Sequence, residues 1–549
     1  MTQSLNTIVP AEATAHLDSA HVGDIRGALG TIRQHDHAPR TSWRARLLTL
    51  LAIMGPGLIV MVGDNDAGGV ATYAQAGQNY GTSLLWTLFL LIPVLIVNQE
   101  MVVRLGLVSG VGHARLIIER FGKFWGAFSV GDLFILNFLT IVTEFIGVSL
   151  AMSYFGVSPY ISVPVAAVAL IAITVTGSFR RWERFMYICI LANFVAIPLA
   201  IMSHPKAGPV IHDSLIPHVQ GALNSTVLLL IIGIVGTTVA PWQLFFQQSN
   251  VIDKRLTPRW MTYERADTAI GAVVVILGAA ALMIATAFAF GGTRFAGNFA
   301  DGHAVAAGLA RSISPAAGSL FAIVLLNAAI IGAAAVTLST SYAFGDVFTI
   351  RHSLHRSWKD ARAFYAIYGA LVLAAAGIVL IPRAPLGLMT LAVQALAGIL
   401  LPSATVFLLL LCNDRDVLGP WVNKTWLNIV ASIIVGVLVV LSLILAATTL
   451  FPSVDARRLS MALGVLLMVS LLATGAVQIW RRRSTSTTER IPSGYSKPDR
   501  MTWRMPPLDT LPKPVWSTTR KIGMLTLRGY LVIAALLMIV KIVELAIGH

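Results

Sequence analysis

Long apolar segments separated by short polar loops make up most of the sequence from about residue 46 onward. Such segments predict membrane-spanning helices, because about 20 helical residues cross the hydrocarbon core of a bilayer. The pattern predicts twelve spans, numbered in chain order: 46–78, 83–107, 124–150, 159–177, 183–203, 223–249, 266–290, 317–344, 363–382, 386–411, 426–450 and 459–480. A possible thirteenth segment, 524–548, either crosses the membrane or lies on its surface.

Composition and charge agree with a membrane protein. Only 12% of the 549 residues are charged and 56% are hydrophobic, whereas soluble domains have about 25% charged residues. The net charge of +15 does not indicate a nucleic-acid partner, because Lys and Arg lie mainly in the loops between spans. Loops after even-numbered spans carry 17 of these residues and loops after odd-numbered spans carry 6. The positive-inside rule therefore predicts a cytoplasmic N-terminus, in the plasma (inner) membrane.

Spans 1 and 6 are both interrupted by polar residues. Span 1 contains Asp64, Asn65 and Asp66 between glycines, and span 6 contains Pro241, which leaves the carbonyl of Thr237 without its helical donor. Irregular backbone at this depth is tolerated only where it faces a cavity or is buried in protein. Interruptions at corresponding positions of two five-helix halves indicate a transporter with inverted repeats, whose breaks meet near the bilayer midplane.

This pattern predicts an all-α membrane protein with five plus five inverted-repeat helices and additional C-terminal helices. The predicted parts are a cytoplasmic tail at 1–45, repeats at 46–203 and 204–411, two helices within 412–480, a basic cytoplasmic linker at 481–522 and a possible thirteenth helix at 523–549. The tail is polar, and we expect it to be flexible. The sequence leaves the oligomeric state open.

The acidic break in span 1 has two interpretations. Asp66 could serve only as the N-cap of the second half of the span, because Asp is a preferred N-cap residue. Two carboxylates and an amide within three residues exceed what one cap needs. We therefore expect a cation site, with oxygen ligands from this break and from span 6.

Several motifs, in order and on the expected helices, resemble the Nramp family of divalent metal transporters. They are Ala71-Thr-Tyr-Ala-Gln-Ala-Gly77 after the break, Glu144-Phe-Ile-Gly147 in span 3, Gly233-Ile-Val-Gly-Thr-Thr-Val-Ala-Pro241 in span 6, and Gln394 eight residues before Pro402. The resemblance covers about residues 46–450 and implies the leucine-transporter fold. It also implies a transported divalent cation as the substrate, with no separate cofactor.

The same resemblance assigns roles to single residues and shows where this chain departs from the family. Asp66 aligns with the family's metal-binding Asp, and Gly69 stands where the family has an Asn ligand. Ala240 replaces a Met whose thioether helps select soft metals. Trp242 and Ile141 replace a His and an acidic residue that are linked to proton movement in the family.

These departures favour a hard cation, because oxygen ligands suit Mg²⁺, Ca²⁺ and Mn²⁺, whereas thioether ligands suit softer metals. Mg²⁺ also keeps several of its waters, which suits a larger site. The predicted metal site comprises Asp64, Asn65, Asp66, Thr237, Ala240, Gln243 and Gln394. The chain is similar in this respect to the Nramp-related magnesium transporters, and we expect Mg²⁺ uptake by alternating access with weak or no proton coupling.

Three alternatives remain. One is a proton-coupled Mn²⁺/Fe²⁺ transporter of the same family. A second is a sodium-coupled organic-solute symporter on the same fold, although adjacent carboxylates would repel a substrate carboxylate. The third is a membrane sensor that binds metal without moving it. An enzyme is not expected, because the sequence lacks a nucleophile–base constellation, a phosphate-binding loop and a redox motif.

Overall fold

The computed structural model describes residues 19–36, 38–221, 224–382, 386–451, 454–484 and 497–512, together with a few short pieces between 524 and 536. The possible thirteenth helix therefore lies largely outside the described residues. Helices dominate the described part of the chain. Its two strands, β1 (Ile25–Arg26) and β2 (Thr31–Ile32), form an antiparallel hairpin.

The helices are numbered in chain order. The first half contains α1 (Trp43–Ile53), α2 (Pro56–Val62), α3 (Ala67–Tyr80), α4 (Leu85–Ser109), α5 (His113–Phe121), α6 (Lys123–Tyr154), α7 (Pro159–Thr174), α8 (Phe179–Asn193), α9 (Ala196–Met202) and α10 (Ala207–Leu215). The second half contains α11 (Ser225–Thr238), α12 (Pro241–Asp253), α13 (Met261–Phe290), α14 (Gly302–Ser312), α15 (Pro315–Phe348), α16 (Arg362–Val379) and α17 (Leu386–Cys412). They are followed by α18 (Arg415–Leu418), α19 (Thr425–Leu450), α20 (Ala456–Ser484) and α21 (Lys497–Thr502).

Each of the twelve predicted spans is helical. Within the described residues, ten helices are long and apolar enough to cross a membrane, and α1 with α2, bent by 55°, raises the number to eleven. The predicted span 4 corresponds to α7, which is apolar but only 16 residues long. The all-α fold of inverted repeats is confirmed. Spans 1 and 6 are both broken in the middle, between α2 and α3 and between α11 and α12.

Span 1 has a second break that the sequence pattern does not predict. The chain turns between α1 and α2 at Gly55, whose φ of 152° favours glycine, and Pro56 then starts α2. The Asp267 carboxylate of α13 accepts hydrogen bonds from the backbone N–H groups of Gly55, Gly57 and Leu58 at 3.0, 2.7 and 3.1 Å. It thereby satisfies donors that a helix start leaves unpaired. Span 1 therefore consists of three helical pieces, α1, α2 and α3, separated by two breaks.

The prediction of a flexible tail is wrong from residue 19 onward. The hairpin docks on the bundle through Ile25 and Ile32, each only 5% exposed. Arg180 and Arg184 donate hydrogen bonds to the Gly27 and Ala28 carbonyls of its turn at 3.1 and 3.2 Å. Arg255 donates to the Ala20 carbonyl, just before the hairpin, at 2.8 Å. Arg180 and Arg184 lie in the first two turns of α8, and Arg255 follows α12. The basic segments that follow spans 4 and 6 therefore gather at the end of the bundle that carries the hairpin. We call this end the hairpin end.

Part of the predicted basic linker also packs on the bundle. Arg504 donates a hydrogen bond to the Leu107 carbonyl at 2.6 Å, and the backbone N–H of Met505 donates to the Val108 carbonyl at 3.1 Å. Both acceptors lie in the last turn of α4. Residues 504–505 therefore cover the hairpin end of span 2. The helices α10 and α14 follow spans 5 and 7 and lie at the opposite end.

Candidate metal site between the two helix breaks

The break in span 1 is a tight turn followed by a new helix start. The backbone N–H groups of Asp64 and Asn65 donate to the carbonyls of Met61 and Val62, each at 3.1 Å. Asp66 is extended and caps α3, and its carboxylate accepts a hydrogen bond from the Gly69 N–H at 2.6 Å. This confirms the predicted capping contact. It leaves the second carboxylate oxygen of Asp66 for other partners.

The break in span 6 lies beside it. The helix α11 ends at Thr238, and Ala240 is the extended N-cap residue before Pro241. The Tyr73 hydroxyl and the Thr238 hydroxyl are 2.9 Å apart, which joins α3 directly to the end of α11. Tyr73 lies seven residues after Asp66, so the two share one face of α3. The two breaks therefore meet inside the bundle.

Gly69 is the point at which the polar groups of both breaks converge. A Cβ atom on Gly69 would lie 2.7 Å from the Asp64 carbonyl oxygen, 3.0 Å from the Thr237 hydroxyl and 3.3 Å from an Asp66 carboxylate oxygen. The first of these distances is too short for any side chain. Position 69 therefore has no room for the Asn that the resemblance implies there. It also places Asp66 and Thr237 close together.

The helix α17 supplies Gln394 to the same place. A Cβ on Gly68 would lie 1.6 Å from Gln394 Nε2, so the amide lies directly on the first turn of α3. A Cβ on Gly236, one residue before Thr237, would lie 2.7 Å from the Gln394 carbonyl oxygen. The absence of side chains at these glycines lets α3, α11 and α17 approach closely. Asp66, Thr237 and Gln394 thus form one cluster of buried polar side chains.

Glu144 of α6 lies next to this cluster, on the side of α15. Its Oε2 accepts a hydrogen bond from the Ala67 N–H at 3.1 Å. A Cβ on Gly332 of α15 would lie 2.5 Å from that oxygen and 2.9 Å from the Asp66 Cβ. Glu144 belongs to a quoted family motif but is absent from the predicted ligand set. An acid inside an apolar span is nevertheless a signal of a functional position.

Two predicted site residues direct their side chains elsewhere. Asn65 Nδ2 donates to the Val275 carbonyl of α13 at 3.0 Å. Gln243 Oε1 accepts from Gln99 of α4 at 3.0 Å, and its Nε2 lies 3.4 Å from the Thr238 carbonyl. Ala240 is buried and adds no polar side-chain atom. The structure thus brings Asp66, Thr237 and Gln394 together. The side-chain amides of Asn65 and Gln243 form hydrogen bonds with neighbouring helices instead.

Several buried polar atoms around the break have no protein partner among the described residues. They include both carboxylate oxygens of Asp64, Asn65 Oδ1, Glu144 Oε1, Thr237 Oγ1, Gln394 Nε2 and Trp242 Nε1. An unsatisfied buried polar group costs about 1–3 kcal/mol, and more if it is charged. Five of these seven atoms are oxygens. These mostly oxygen atoms are suitable ligands for a cation, which they could bind directly or through water.

The residues at the two family positions linked to proton movement are apolar or aromatic and buried. Ile141 is fully buried in α6, and Trp242 is 2% exposed in the first turn of α12. A Cβ on Gly63 would lie 3.0 Å from Trp242 Cη2, so the indole packs on the span 1 break. The side chains of Ile141 and Trp242 cannot exchange protons near neutral pH.

Comparisons with known proteins agree with this geometry. The family model for natural resistance-associated macrophage protein-like proteins (Nramp) matches residues 57–448. The divalent metal cation transporter MntH of Xylella fastidiosa is 27% identical over 464 residues, or 80% of this chain and 92% of the relative. The same-named protein of Ralstonia nicotianae is 30% identical over 413 residues, or 72% and 90%. The crystal structure of a manganese transporter from Eremococcus coleocola matches with a TM-score of 0.61 and 21% identity, covering 83% of this chain and 97% of that one. The chain is an integral membrane protein that belongs to the Nramp family.

Proposed function

We propose that this protein transports divalent metal cations, with Mg²⁺ as the principal cargo, and that the cation binds between the two breaks. The observation that carries the choice of Mg²⁺ is the donor set. The side chains gathered at the breaks offer carboxylate, hydroxyl and amide groups, and Ala240 stands where the resemblance implies a thioether. Hard cations prefer oxygen ligands. Mg²⁺ usually keeps several waters, for which the small Ala240 side chain leaves space.

In the proposed site, Asp66 is the principal ligand and Asp64 adds charge from the same turn. The Thr237 carbonyl and Gln394 complete the shell, and Asn65 Oδ1 or Gln243 contributes through water. Alternating access then follows from movement of the broken helices relative to the remaining scaffold. The close packing of α17 against α3 at Gly68 and against α11 at Gly236 supports alternating access. Movement of any one of these three helices would change the distances between the proposed ligands.

The predicted orientation places the hairpin end in the cytoplasm of a plasma (inner) membrane. The arginines that hold the hairpin and the residues just before it belong to the basic segments after spans 4 and 6, and this supports the orientation, because basic segments between spans favour the cytoplasmic side. A divalent cation that enters then carries two charges down the membrane potential. That movement is worth about 4.6 kcal/mol at 100 mV. The potential alone can therefore drive uptake.

We expect Mg²⁺ uptake without matching proton entry. Ile141 and Trp242 leave the proton route of the family without two of its titratable groups. The measurement is Mg²⁺ flux into proteoliposomes that contain a pH-sensitive dye, at a fixed inside-negative potential. The luminal pH should stay constant while Mg²⁺ enters. Acidification of the lumen in step with metal entry would contradict this proposal.

The second candidate is proton-coupled Mn²⁺ transport. The names of the relatives and Glu144, a buried carboxylate beside Asp66, favour it. If this candidate is correct, Mn²⁺ entry should acidify the lumen, and Glu144→Gln should remove that acidification. If the Mg²⁺ proposal is correct, no acidification occurs in either protein. The same dye assay therefore separates the two candidates.

Replacing Ala240 by Met tests the selectivity directly. We expect Ala240→Met to shift the flux ratio of Mn²⁺ to Mg²⁺ about tenfold toward Mn²⁺, which corresponds to about 1.4 kcal/mol. The thioether adds a soft ligand and takes the place of water. Ala240→Leu is the matched control, because Leu and Met have similar volumes and Leu has no sulfur. An equal shift in both variants would show that volume, rather than ligation, sets the ratio.

A further inference from the structure

A second group of metal-ligating side chains lies far from the two breaks. His212 and Asp213 are in α10, and His218 follows in the loop before α11. His212 Nδ1 is 2.8 Å from Asp213 Oδ1, and His218 Nε2 is 3.5 Å from the same oxygen. One ligand atom from each residue lies within 4.8 Å of the other two. The three side chains therefore converge on one point at the end opposite the hairpin.

The spacing of these atoms suits a shared ion. Two ligands of a tetrahedral Zn²⁺, bound at about 2.0–2.1 Å, are about 3.3 Å apart. The 3.5 Å between His218 Nε2 and Asp213 Oδ1 is close to that value. The 2.8 Å between His212 Nδ1 and Asp213 Oδ1 is a hydrogen bond, which has to lengthen by about 0.5 Å when an ion replaces the shared proton. The His212 side chain is 57% exposed and His218 is 38% exposed, so small rotations can bring both rings onto one ion.

The surrounding hydrogen bonds orient two of the three ligands. His218 Nδ1 is 3.1 Å from the Ile216 carbonyl, which can only accept a hydrogen bond, so this contact favours the tautomer with the proton on Nδ1 and with Nε2 free to bind an ion. The Thr82 hydroxyl donates to Asp213 Oδ2 at 2.5 Å, so Oδ1 faces the histidines. Metal-binding histidines and carboxylates are usually held by such outer contacts. This arrangement goes beyond a chance meeting of exposed side chains.

We propose that His212, Asp213 and His218 bind one borderline transition-metal ion of the Zn²⁺ type, with water in the fourth position. Two imidazoles and one carboxylate suit Zn²⁺, Ni²⁺ or Cu²⁺, whereas Mg²⁺ prefers oxygen ligands. The site is therefore distinct in chemistry from the one between the breaks. Asp213 and Thr82 connect α10 to the turn after α3. The ion sits beside the outer end of the second half of span 1.

Further hydrogen bonds hold the loop that carries His218 against the residues after α3. Trp86 Nε1 donates to the His218 carbonyl at 2.9 Å, and the Gln220 N–H donates to the Ser83 hydroxyl at 3.1 Å. The loop that carries His218 is thus attached to Ser83 and Trp86 at the start of α4, while Thr82 holds α10 through Asp213. These contacts hold the site together without the ion. The backbone that carries the three ligands is therefore held in place, and only the two rings have to rotate.

The test is calorimetric titration of the detergent-purified full chain with Zn²⁺, carried out in the Asp66→Asn background. That background removes the proposed ligand of the central site, so failure of either proposal can be recognised separately. We expect one Zn²⁺ per chain, and at least a tenfold weaker affinity in His212→Gln/His218→Gln. His204→Gln is the matched control, because His204 is an exposed histidine in the loop before α10. Its affinity should equal that of the background protein.

Thr82→Val tests whether the ion is bound by an oriented three-residue site or only by two exposed histidines. Loss of an outer-sphere partner typically weakens a metal site about 10–100-fold. We expect a reduction in that range with one ion still bound per chain. The proposal is overturned if the double histidine variant binds Zn²⁺ as tightly as the background protein. It is also overturned if the Asp66→Asn protein binds no Zn²⁺.

Discussion

Replacing Asp66 by Asn is expected to reduce divalent-cation flux into proteoliposomes at least about 100-fold, while the protein stays folded. Asn is as good an N-cap as Asp, so the bond to the Gly69 N–H and the start of α3 are retained. Only the charge of the proposed principal ligand is lost. Outer-sphere partners alone account for about 10–100-fold of affinity in metal sites, and a direct ligand should account for more.

This substitution separates the two interpretations of the acidic break. If Asp66 serves only as a cap, Asp66→Asn should transport normally and Asp66→Ala should be impaired through loss of the cap. If Asp66 is a ligand, both variants should fail. Asp360→Asn is the matched control, because Asp360 is an exposed carboxylate that accepts a hydrogen bond from Ser357 at 2.6 Å. It should transport like the wild type.

The second large effect concerns stability. Lys254 Nζ is 2.5 Å from Glu183 Oε1 and 2.8 Å from the Met54 carbonyl, and both charged side chains are fully buried. The other Glu183 oxygen accepts a hydrogen bond from the Ala28 N–H of the hairpin. Lys254→Met leaves the Glu183 carboxylate buried without its partner, which costs about 3–5 kcal/mol. We expect a clearly lower temperature of thermal aggregation for the detergent-purified protein.

We expect Lys254→Met to lose stability because the Glu183 carboxylate stays buried without its partner. Lys254→Met/Glu183→Gln removes both charges, and Gln can still accept the hydrogen bond from Ala28, so we expect this double variant to be more stable than Lys254→Met alone. Lys424→Met is the control for loss of an exposed lysine and should match the wild type. Equal instability of the single and double variants would show that the pair matters for packing instead.

The fold was largely predictable from the sequence, because apolar runs and Lys/Arg-rich loops reflect the bilayer rather than local packing. Three features were not. The hairpin is held by only a few apolar residues, such as Ile25 and Ile32, within an otherwise polar segment. The break at Gly55 depends on Asp267, a partner more than 200 residues away. The docking of residues 504–505 depends on carbonyls at the end of α4.

The position of the candidate site was also predictable from the sequence, but the hydrogen-bond partners of its side chains were not. Interruption of spans 1 and 6 indicates that the breaks meet, and the structure places Asp66 beside Thr237. The direction of each amide depends on helix rotation and on neighbouring backbone groups, which a linear pattern does not contain. Asn65 therefore donates to α13. Gln243 pairs with Gln99 for the same reason.

The identity of the cargo is tested most directly by flux into proteoliposomes with Mg²⁺ or Mn²⁺ as the sole divalent cation, at one fixed inside-negative potential. The oxygen-rich cluster around Asp66 and the small side chain of Ala240 lead us to expect rapid Mg²⁺ entry, with Mn²⁺ entering at a similar or lower rate. Entry of Mn²⁺ without measurable entry of Mg²⁺ would contradict the proposed function.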